Sequence, residues 1–265
     1  MEIFVLSLLG LCFGSFVNAL VWRVRHKRDM LRERSECTHC HHILAWYDLF
    51  PVASWLMLRG RCRYCRRPID DTPLVELATT ALFVVSYLAW PYAIGSWVGI
   101  ALFASWLLAT IILVALSDYD IRWKLLPDVM VFPLIGLGLI IGVLRFYGVE
   151  GSGIIATLIT MSSGVAVIAG LYYALYRISG GSWVGFGDIK LNIFIGLILG
   201  WQGAILAVFV ANMLGTLWVV PGIVSGRLGR RSQVPFGPFL IAAAIIVFLW
   251  GNDLIQWYLT TLIAL

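Results

Sequence analysis

The sequence predicts an all-α polytopic membrane protein of about eight transmembrane helices, with a small cysteine-stapled cytosolic domain between the first two. Three observations carry that expectation. The 265-residue chain is 61% hydrophobic and only 12% charged, with a mean hydropathy of +0.92; a soluble domain carries roughly 25% charged residues. Apolar runs near the length that crosses a bilayer recur along most of the chain. The one long polar segment holds Cys37, Cys40, Cys62 and Cys65 in two close pairs. Barrel strands would alternate apolar and polar residues, and these runs do not.

The first apolar run is 3–24. Only Glu2 precedes it, and the basic residues Arg23, Arg25, Lys27 and Arg28 come at its end or just after. That reads as a retained first helix with its N-terminus outside. A polar segment, 25–73, follows. Further runs lie at 74–90, 97–116, 126–144, 154–176, 189–199, 204–224 and 236–250, with an apolar tail at 254–265. The organisation is therefore a first transmembrane helix (1–24), a cytosolic domain (25–73) and a transmembrane domain (74–265). No sequence repeat and no low-complexity linker is evident.

Positive charge orients the runs. The first loop carries Arg32, Arg34, Arg59, Arg61, Arg63, Arg66 and Arg67, which makes it cytosolic. Counting crossings then puts Arg122 with Lys124, Arg177 with Lys190, and Arg227 with Arg230 and Arg231 on that same side. The opposite loops ("PYAIGS", "FYGVEGSG", "GWQG") are nearly free of Lys and Arg. The run 189–199 would span only about 16 Å as a helix. A single crossing over 189–224 would nevertheless export the Arg227 cluster, so two crossings are expected. The first can be short if "GFGD" is recessed from the membrane surface, where non-helical backbone must line a polar cavity.

An ionised carboxylate at such a boundary is costly unless something needs it. Asp188 of "GFGD" has three candidate partners in "SDYDIRWKLLPD": Asp118, Asp120 and Asp128. All fall on the cytosolic side in this topology. Two carboxyl groups held close share a proton, because they cannot both ionise cheaply. The ionised member can then activate water while the protonated one polarises a carbonyl. Glycines beside the carboxylate let backbone approach an extended peptide closely. Against this, an aspartate at a helix end is commonly a cap or a solvated loop residue. Asp118 and Asp128 fit that reading, and Asp128 could cap the helix that begins after Pro127.

"CTHC" and "CRYC" give the spacing C-x2-C-x21-C-x2-C. Two knuckles of this kind close a four-thiolate site around zinc, and with four protein ligands the site is structural. A disulfide is disfavoured in a reducing cytosol. The metal would staple a segment too small for a core of its own. His39, His41 and His42 are alternative ligands that four cysteines make unnecessary, and Cys12 is most simply a small apolar residue of the first helix. The arginines around Cys62 could meet anionic lipid or the negative end of a substrate.

In order along the chain come "GSFVNALVWR", the paired knuckles with "PVASWLMLRGRCRYC", then "PLVELATTALF", "YDIRWKLLPD", "GFGDIKL" and "VPFGPFL". This ordered set resembles the type IV prepilin peptidases, bifunctional leader peptidases and N-methyltransferases of the GxGD aspartyl protease group. The resemblance implies two catalytic aspartates, one in a D-x6-P-D motif and one in a G-x-G-D motif. Asp120 matches the first, with Pro127 and Asp128 completing it; Asp188 matches the second, with Gly185 and Gly187. Tyr119 before Asp120 and Lys190 after Asp188 match flanking positions. The chain departs from the family at Thr38, where proline is common, at Val24 in place of "RLP"-like sequence, and in "IDDT" before Pro73.

The resemblance implies an aspartic endopeptidase of the bacterial inner membrane with a periplasmic N-terminus and an active site facing the cytosol. Its substrates would be prepilins or pseudopilins of type IV pili or type II secretion, with a short basic leader ending in glycine before an apolar helix. It further implies methylation of the new N-terminal amine by S-adenosylmethionine. No glycine-rich nucleotide loop is visible in 25–73, so that site is not placed. Zinc, membrane lipid and the substrate are the expected partners, and no nucleic acid. The competing readings are a zinc-stapled, proton-coupled transporter and an inactive assembly subunit. The transporter lacks a clear mid-membrane carboxylate and the internal repeats common in such proteins.

Overall fold

The computed structural model describes residues 1–29, 34–69, 71–227, 229 and 234–263. Arg32, Arg230 and Arg231, which enter the charge argument, lie outside the described residues, as do Asp70 of "IDDT" and the last two residues of the apolar tail. Among the described residues the chain is helical, and its extended pairing is confined to two isolated antiparallel bridges. The helices are α1 (Glu2–His26), α2 (Ala53–Met57), α3 (Leu74–Leu88), α4 (Trp97–Trp123), α5 (Asp128–Gly142), α6 (Ile154–Ser179), α7 (Phe186–Val224) and α8 (Gly237–Tyr258). Among the described residues six spans have the length and apolarity to cross a membrane, and α3 is a shorter apolar helix.

Each expected run has a helical counterpart, with two differences. The run at 126–144 does not stop there: a π-helical stretch, Val143–Val149, extends α5 into one span, Asp128–Val149. The tail is no separate segment, because α8 runs on into Leu259–Ile263. In both places the backbone stays coiled past the point where polar side chains appear.

The long α7 is two helices. Gly200 has φ 67° and ψ −177°, a backbone state that side chains with a Cβ rarely adopt. The chain doubles back there. Asp188, on one side of Gly200, is within electrostatic reach of Tyr172, whose ring neighbours Phe236. Gly215, on the other side, lies against that same Phe236. A straight helix would part residues 188 and 215 by roughly 40 Å.

The break frees carbonyls that a continuous helix would have satisfied. Arg145, buried in the π-helical stretch, donates from Nη1 to the Ile198 carbonyl at 2.8 Å and from Nε to Glu150 at 2.9 Å. A charge that the apolar pattern had hidden thus closes the end of a broken helix.

Two compact units make up the chain. One comprises 1–88 with 110–118, the other 89–109 with 119–265. In the first, α3 runs antiparallel to the first half of α1: Thr80 sits beside Gly10, Glu76 beside Gly14, and Tyr87 hydrogen-bonds Glu2. In the second, α6, both halves of α7, and α8 pack together, and Trp106 of α4 stacks on Phe248 of α8 at 4.0 Å.

Candidate active site and metal centre

Asp120 occupies the last turn of α4 and Asp188 the first turn of α7. Asp120 is buried, at 6% exposure, and Asp188 is half-buried. The two are close enough for the charge of one to act on the other. Asp118 lies two residues earlier on α4, about 200° around the helix from Asp120, and is also half-buried.

The surroundings of the pair come from the start of α8, the turn before α5 and the side of α6. The first N–H of α8, that of Gly237, donates to Asp120 Oδ2 at 3.1 Å. A Cβ at Gly237 would stand 2.6 Å from that same oxygen. At the other carboxylate, the Asp188 N–H donates to the Gly185 carbonyl at 3.1 Å, and a Cβ on Gly185 would lie 3.5 Å from Asp188 Oδ2. Gly187 admits Leu126, whose Cβ would be 3.0 Å from an added methyl. Buried Tyr172 of α6 lies within reach of the Asp188 charge.

Lys190 and Asp128 join the start of α7 to the start of α5. Lys190 Nζ is 2.5 Å from Asp128 Oδ1 and lies near the rings of Phe186 and Phe132. The suggested cap by Asp128 is not formed. Pro127 is the N-cap of α5, without a side-chain bond, and the Asp128 carboxylate turns to Lys190 instead. An ammonium partner outweighs a backbone N–H that water can serve. Pro127 supplies the fixed entry to α5, its carbonyl accepting from Met130 and Val131. Tyr119 is buried, with its ring 4.6 Å from that of Trp123.

The structure therefore gathers Asp120, Asp188, Gly185, Gly187, Pro127, Asp128 and Lys190 at one end of this unit's bundle. Sequence reasoning missed Gly237 and Tyr172. The signal for Gly237 was the glycine before a proline in "VPFGPFL"; Tyr172 gave none, being one aromatic among many in an apolar run.

In the first unit the four knuckle cysteines converge. Their sulfurs all lie within 4.8 Å of one another, and Cys37 and Cys65 are 3.9 Å apart. A tetrahedral zinc thiolate site has sulfur separations of about 3.8 Å, so the four fit that metal. His39, His41 and His42 stand outside the cluster; His41 lies 3.6 Å from Glu36, and the His42 ring lies against that of Tyr64, tilted by 34°. Burial raises the Cys37 thiol, but backbone N–H groups of Cys40 and His39 and the neighbouring thiols outweigh it and bring it down to about 7. Such donors favour the thiolate a metal requires.

The knuckles are backbone copies of one another. Cys37 donates its N–H to His42 O and Cys62 does so to Arg67 O; His41 N–H returns to Cys37 O and Arg66 N–H to Cys62 O. His41 and Arg66 both take left-handed φ values, 55° and 58°. The bridges Glu36↔Ile43 and Arg61↔Pro68 close the two loops. A structural repeat of 25 residues is thus present where none was evident in sequence, because it is written in backbone hydrogen bonds and the cysteines alone. Asp48 fastens the second knuckle, accepting from Arg63 Nε at 2.7 Å and Tyr64 OH at 3.1 Å. Burial pushes its carboxyl upward, but these bonds prevail and hold it below the ordinary range.

The model of the bacterial Peptidase A24 N-terminal domain matches residues 8–90, and that of the Type IV leader peptidase family matches residues 107–220. The chain is 32% identical over 278 residues to the prepilin leader peptidase/N-methyltransferase of Aeromonas hydrophila, covering 96% of this chain and 92% of the relative. It is 32% identical over 279 residues to the protein of that description from Xanthomonas campestris pv. campestris, covering 95% and 92%. The Pseudomonas aeruginosa relative is 30% identical over 279 residues, covering 95% and 91%. No solved structure matches.

Proposed function

The chain belongs to the type IV leader peptidase family, and on that premise we propose that it is a multi-pass membrane aspartic endopeptidase that cleaves the leaders of prepilins or pseudopilins through Asp120 and Asp188. It is also an N-methyltransferase acting on the amine so released. Likeness over nearly the whole chain to prepilin leader peptidases leaves the transporter reading without support. The observation that carries the assignment of residues is the approach of Asp120 and Asp188 from two helix ends, with Gly237 fixing the first.

One carboxylate removes a proton from water, and the water oxygen attacks the scissile carbonyl. The other, protonated, donates a hydrogen bond to that carbonyl oxygen. Collapse breaks the C–N bond, and the leaving nitrogen takes a proton from the dyad, so one proton is shared before and after. Gly185 leaves room for extended backbone beside Asp188, whereas the space at Gly187 and Gly237 is taken by Leu126 and by Asp120 itself. Lys190, paired to Asp128, ties the helix that bears Asp188 to the start of α5, just after the turn that follows Asp120.

Segment 25–73 is the metal-binding domain and 74–265 the peptidase domain in this reading. Cys37, Cys40, Cys62 and Cys65 would hold a zinc ion that staples the segment and takes no part in proteolysis. The methyl donor is S-adenosylmethionine. The charge bias of the loops supports a dyad on the cytosolic side of the inner membrane, the side of the basic leader in this reading.

The test is cleavage of a purified prepilin by single variants. Asp120→Asn and Asp188→Asn should each abolish the mobility shift while the protein still inserts and keeps its metal; Asp118→Asn should cleave within a few-fold of the parent. Activity should fall at both pH extremes, as a shared proton requires. An active Asp120→Asn protein, or a flat pH profile, removes the dyad.

A further inference from the structure

The segment between the two knuckles carries an exposed apolar face that neither proteolysis nor metal binding uses. Trp46 is 73% exposed, Phe50 54%, Leu56 60% and Met57 81%. Trp46 opens a 3-10 turn, Trp46–Leu49, that Phe50 follows, and Leu56 and Met57 end α2; the Trp46 and Phe50 rings are 5.9 Å apart. A water-facing domain rarely shows so contiguous an apolar patch.

Its depth can be read from α1 and α3. The apolar stretch of α1, 3–24, rises about 33 Å and matches a hydrocarbon core of about 30 Å. With 15 residues, α3 rises only about 22 Å. Glu2 pairs with Tyr87, Gly10 faces Thr80 and Gly14 faces Glu76, so α3 begins near the middle of α1. About 15 Å of α1, residues 15–24, continues past the first turn of α3.

The segment returns to the chain at that level. Glu76, in the first turn of α3 and 8% exposed, accepts the Val52 N–H at 2.5 Å. Val52 has φ 57°, a strained state for a β-branched residue. Around it the backbone is satisfied internally: Ser54 N–H to Phe50 O, Leu56 N–H to Val52 O, Leu58 N–H to Ser54 O. A buried carboxylate that serves a backbone amide and the Ser15 hydroxyl makes sense where water is scarce. Beside this face, Arg59, Arg61, Arg66 and Arg67 are exposed, and Arg23, Arg25, Lys27 and Arg28 sit at the same end of α1.

We infer that residues 46–57 lie in the bilayer, in the leaflet at the C-terminal end of α1, where they complete the crossing that α3 leaves short. The occupant of the apolar face is the acyl and headgroup region of the membrane the chain already spans, and the flanking arginines meet anionic phospholipid headgroups. The metal staple then holds an interfacial wedge whose depth is set by the bond between Val52 and Glu76, rather than a domain free in water.

The test uses the full-length, metal-loaded protein in vesicles of phosphatidylethanolamine and phosphatidylglycerol. Photoreactive p-benzoylphenylalanine is placed singly at positions 46, 50 and 57, and at Arg67 as the headgroup-level comparison. Metal content reports that each variant is folded. Lipid adducts identified by mass spectrometry should form at 46, 50 and 57 with several-fold the yield at 67. The double variant Arg59→Gln/Arg61→Gln should lower those yields toward the values found in neutral phosphatidylcholine vesicles. Yields at 46, 50 and 57 no higher than at 67 would mean that the face does not enter the bilayer, and adducts chiefly between two chains would mean that a second copy covers it. Either result overturns the inference.

Discussion

Gly237 donates its backbone N–H to Asp120 Oδ2 at 3.1 Å, and no side chain fits between them. One catalytic candidate, at the end of α4, is therefore positioned by the first residue of α8, 117 residues away in sequence. The bond holds Oδ2 of Asp120 against the start of α8; in the proposed mechanism the other oxygen meets substrate or water. Gly237→Ala puts a Cβ 2.6 Å from Oδ2, so the carboxyl must move. Displacement of a reacting group by about 1 Å costs on the order of 100-fold. Cleavage by this variant should fall by about that factor in kcat, with KM for prepilin and metal content unchanged. An activity within two-fold of the parent would remove Gly237 from the site.

The pairing of Lys190 with Asp128 makes a second expectation. It joins the entry of α5 to the first turn of α7, at 2.5 Å. Lys190→Met and Asp128→Asn should each lower kcat/KM about 10-fold, a rough figure for loss of a positioning ion pair. The double variant should be little worse than either single one, because residues in contact are not additive. Independent, multiplying losses would show that the two side chains act separately.

Much of this arrangement was legible in the sequence, and the parts that were not share a physical character. The apolar runs located the helices because lipid demands a continuous apolar surface. Charge bias alone required a reversal between 189 and 224, and Gly200 supplies it. The illegible parts are backbone matters. The N–H of Gly237, the amide of Val52 held by Glu76, and the 25-residue knuckle repeat involve groups that every residue carries. No pattern of side chains announces them. Arg145 was hidden for a related reason: its partner is a carbonyl freed by a break that is 55 residues away in sequence.

For the metal, the four sulfurs form one site, so its loss should not depend on which is removed. Cys37→Ser, Cys40→Ser, Cys62→Ser and Cys65→Ser should each reduce the metal from about one zinc per chain, the stoichiometry of a four-thiolate site. Cys12→Ser should keep it. Elemental analysis after anaerobic purification gives the answer. A metal-free parent protein, or a Cys65→Ser protein that keeps full stoichiometry, would refute the four-cysteine site.

Asp48 should reinforce that site over a defined pH range. Its carboxyl is held below the usual carboxylate range by Arg63 and Tyr64 despite the opposing effect of burial. A depressed folded value means that its stabilisation is fully present above the unfolded value, about 3.9, and fades only as pH falls through the lower folded one. Between pH 6 and 8, Asp48→Asn should therefore release zinc to a chelator several-fold faster than the parent, by a factor that does not change with pH. A factor that disappears between pH 8 and 6 would assign the effect to another group.

The order of the two reactions follows from the nitrogen they share. Before cleavage it is an amide, with its lone pair delocalised into the carbonyl, and it is a poor nucleophile toward a methyl donor. Hydrolysis converts it into an α-amine with a pKa near about 8, so a usable fraction is neutral at cytosolic pH. Methyl transfer must follow proteolysis. With separate sites, the Asp120→Asn protein should leave intact prepilin unmethylated, yet it should methylate pre-cleaved pilin when given S-adenosylmethionine. Cysteine-knuckle variants should show the reverse, cleaving without methylating, if the segment they staple builds the donor site. Mass spectrometry of the pilin N-terminus reads each outcome. An Asp120→Asn protein that keeps its zinc and its fold but methylates neither substrate would mean that the dyad serves both reactions, and the separation of sites would fail.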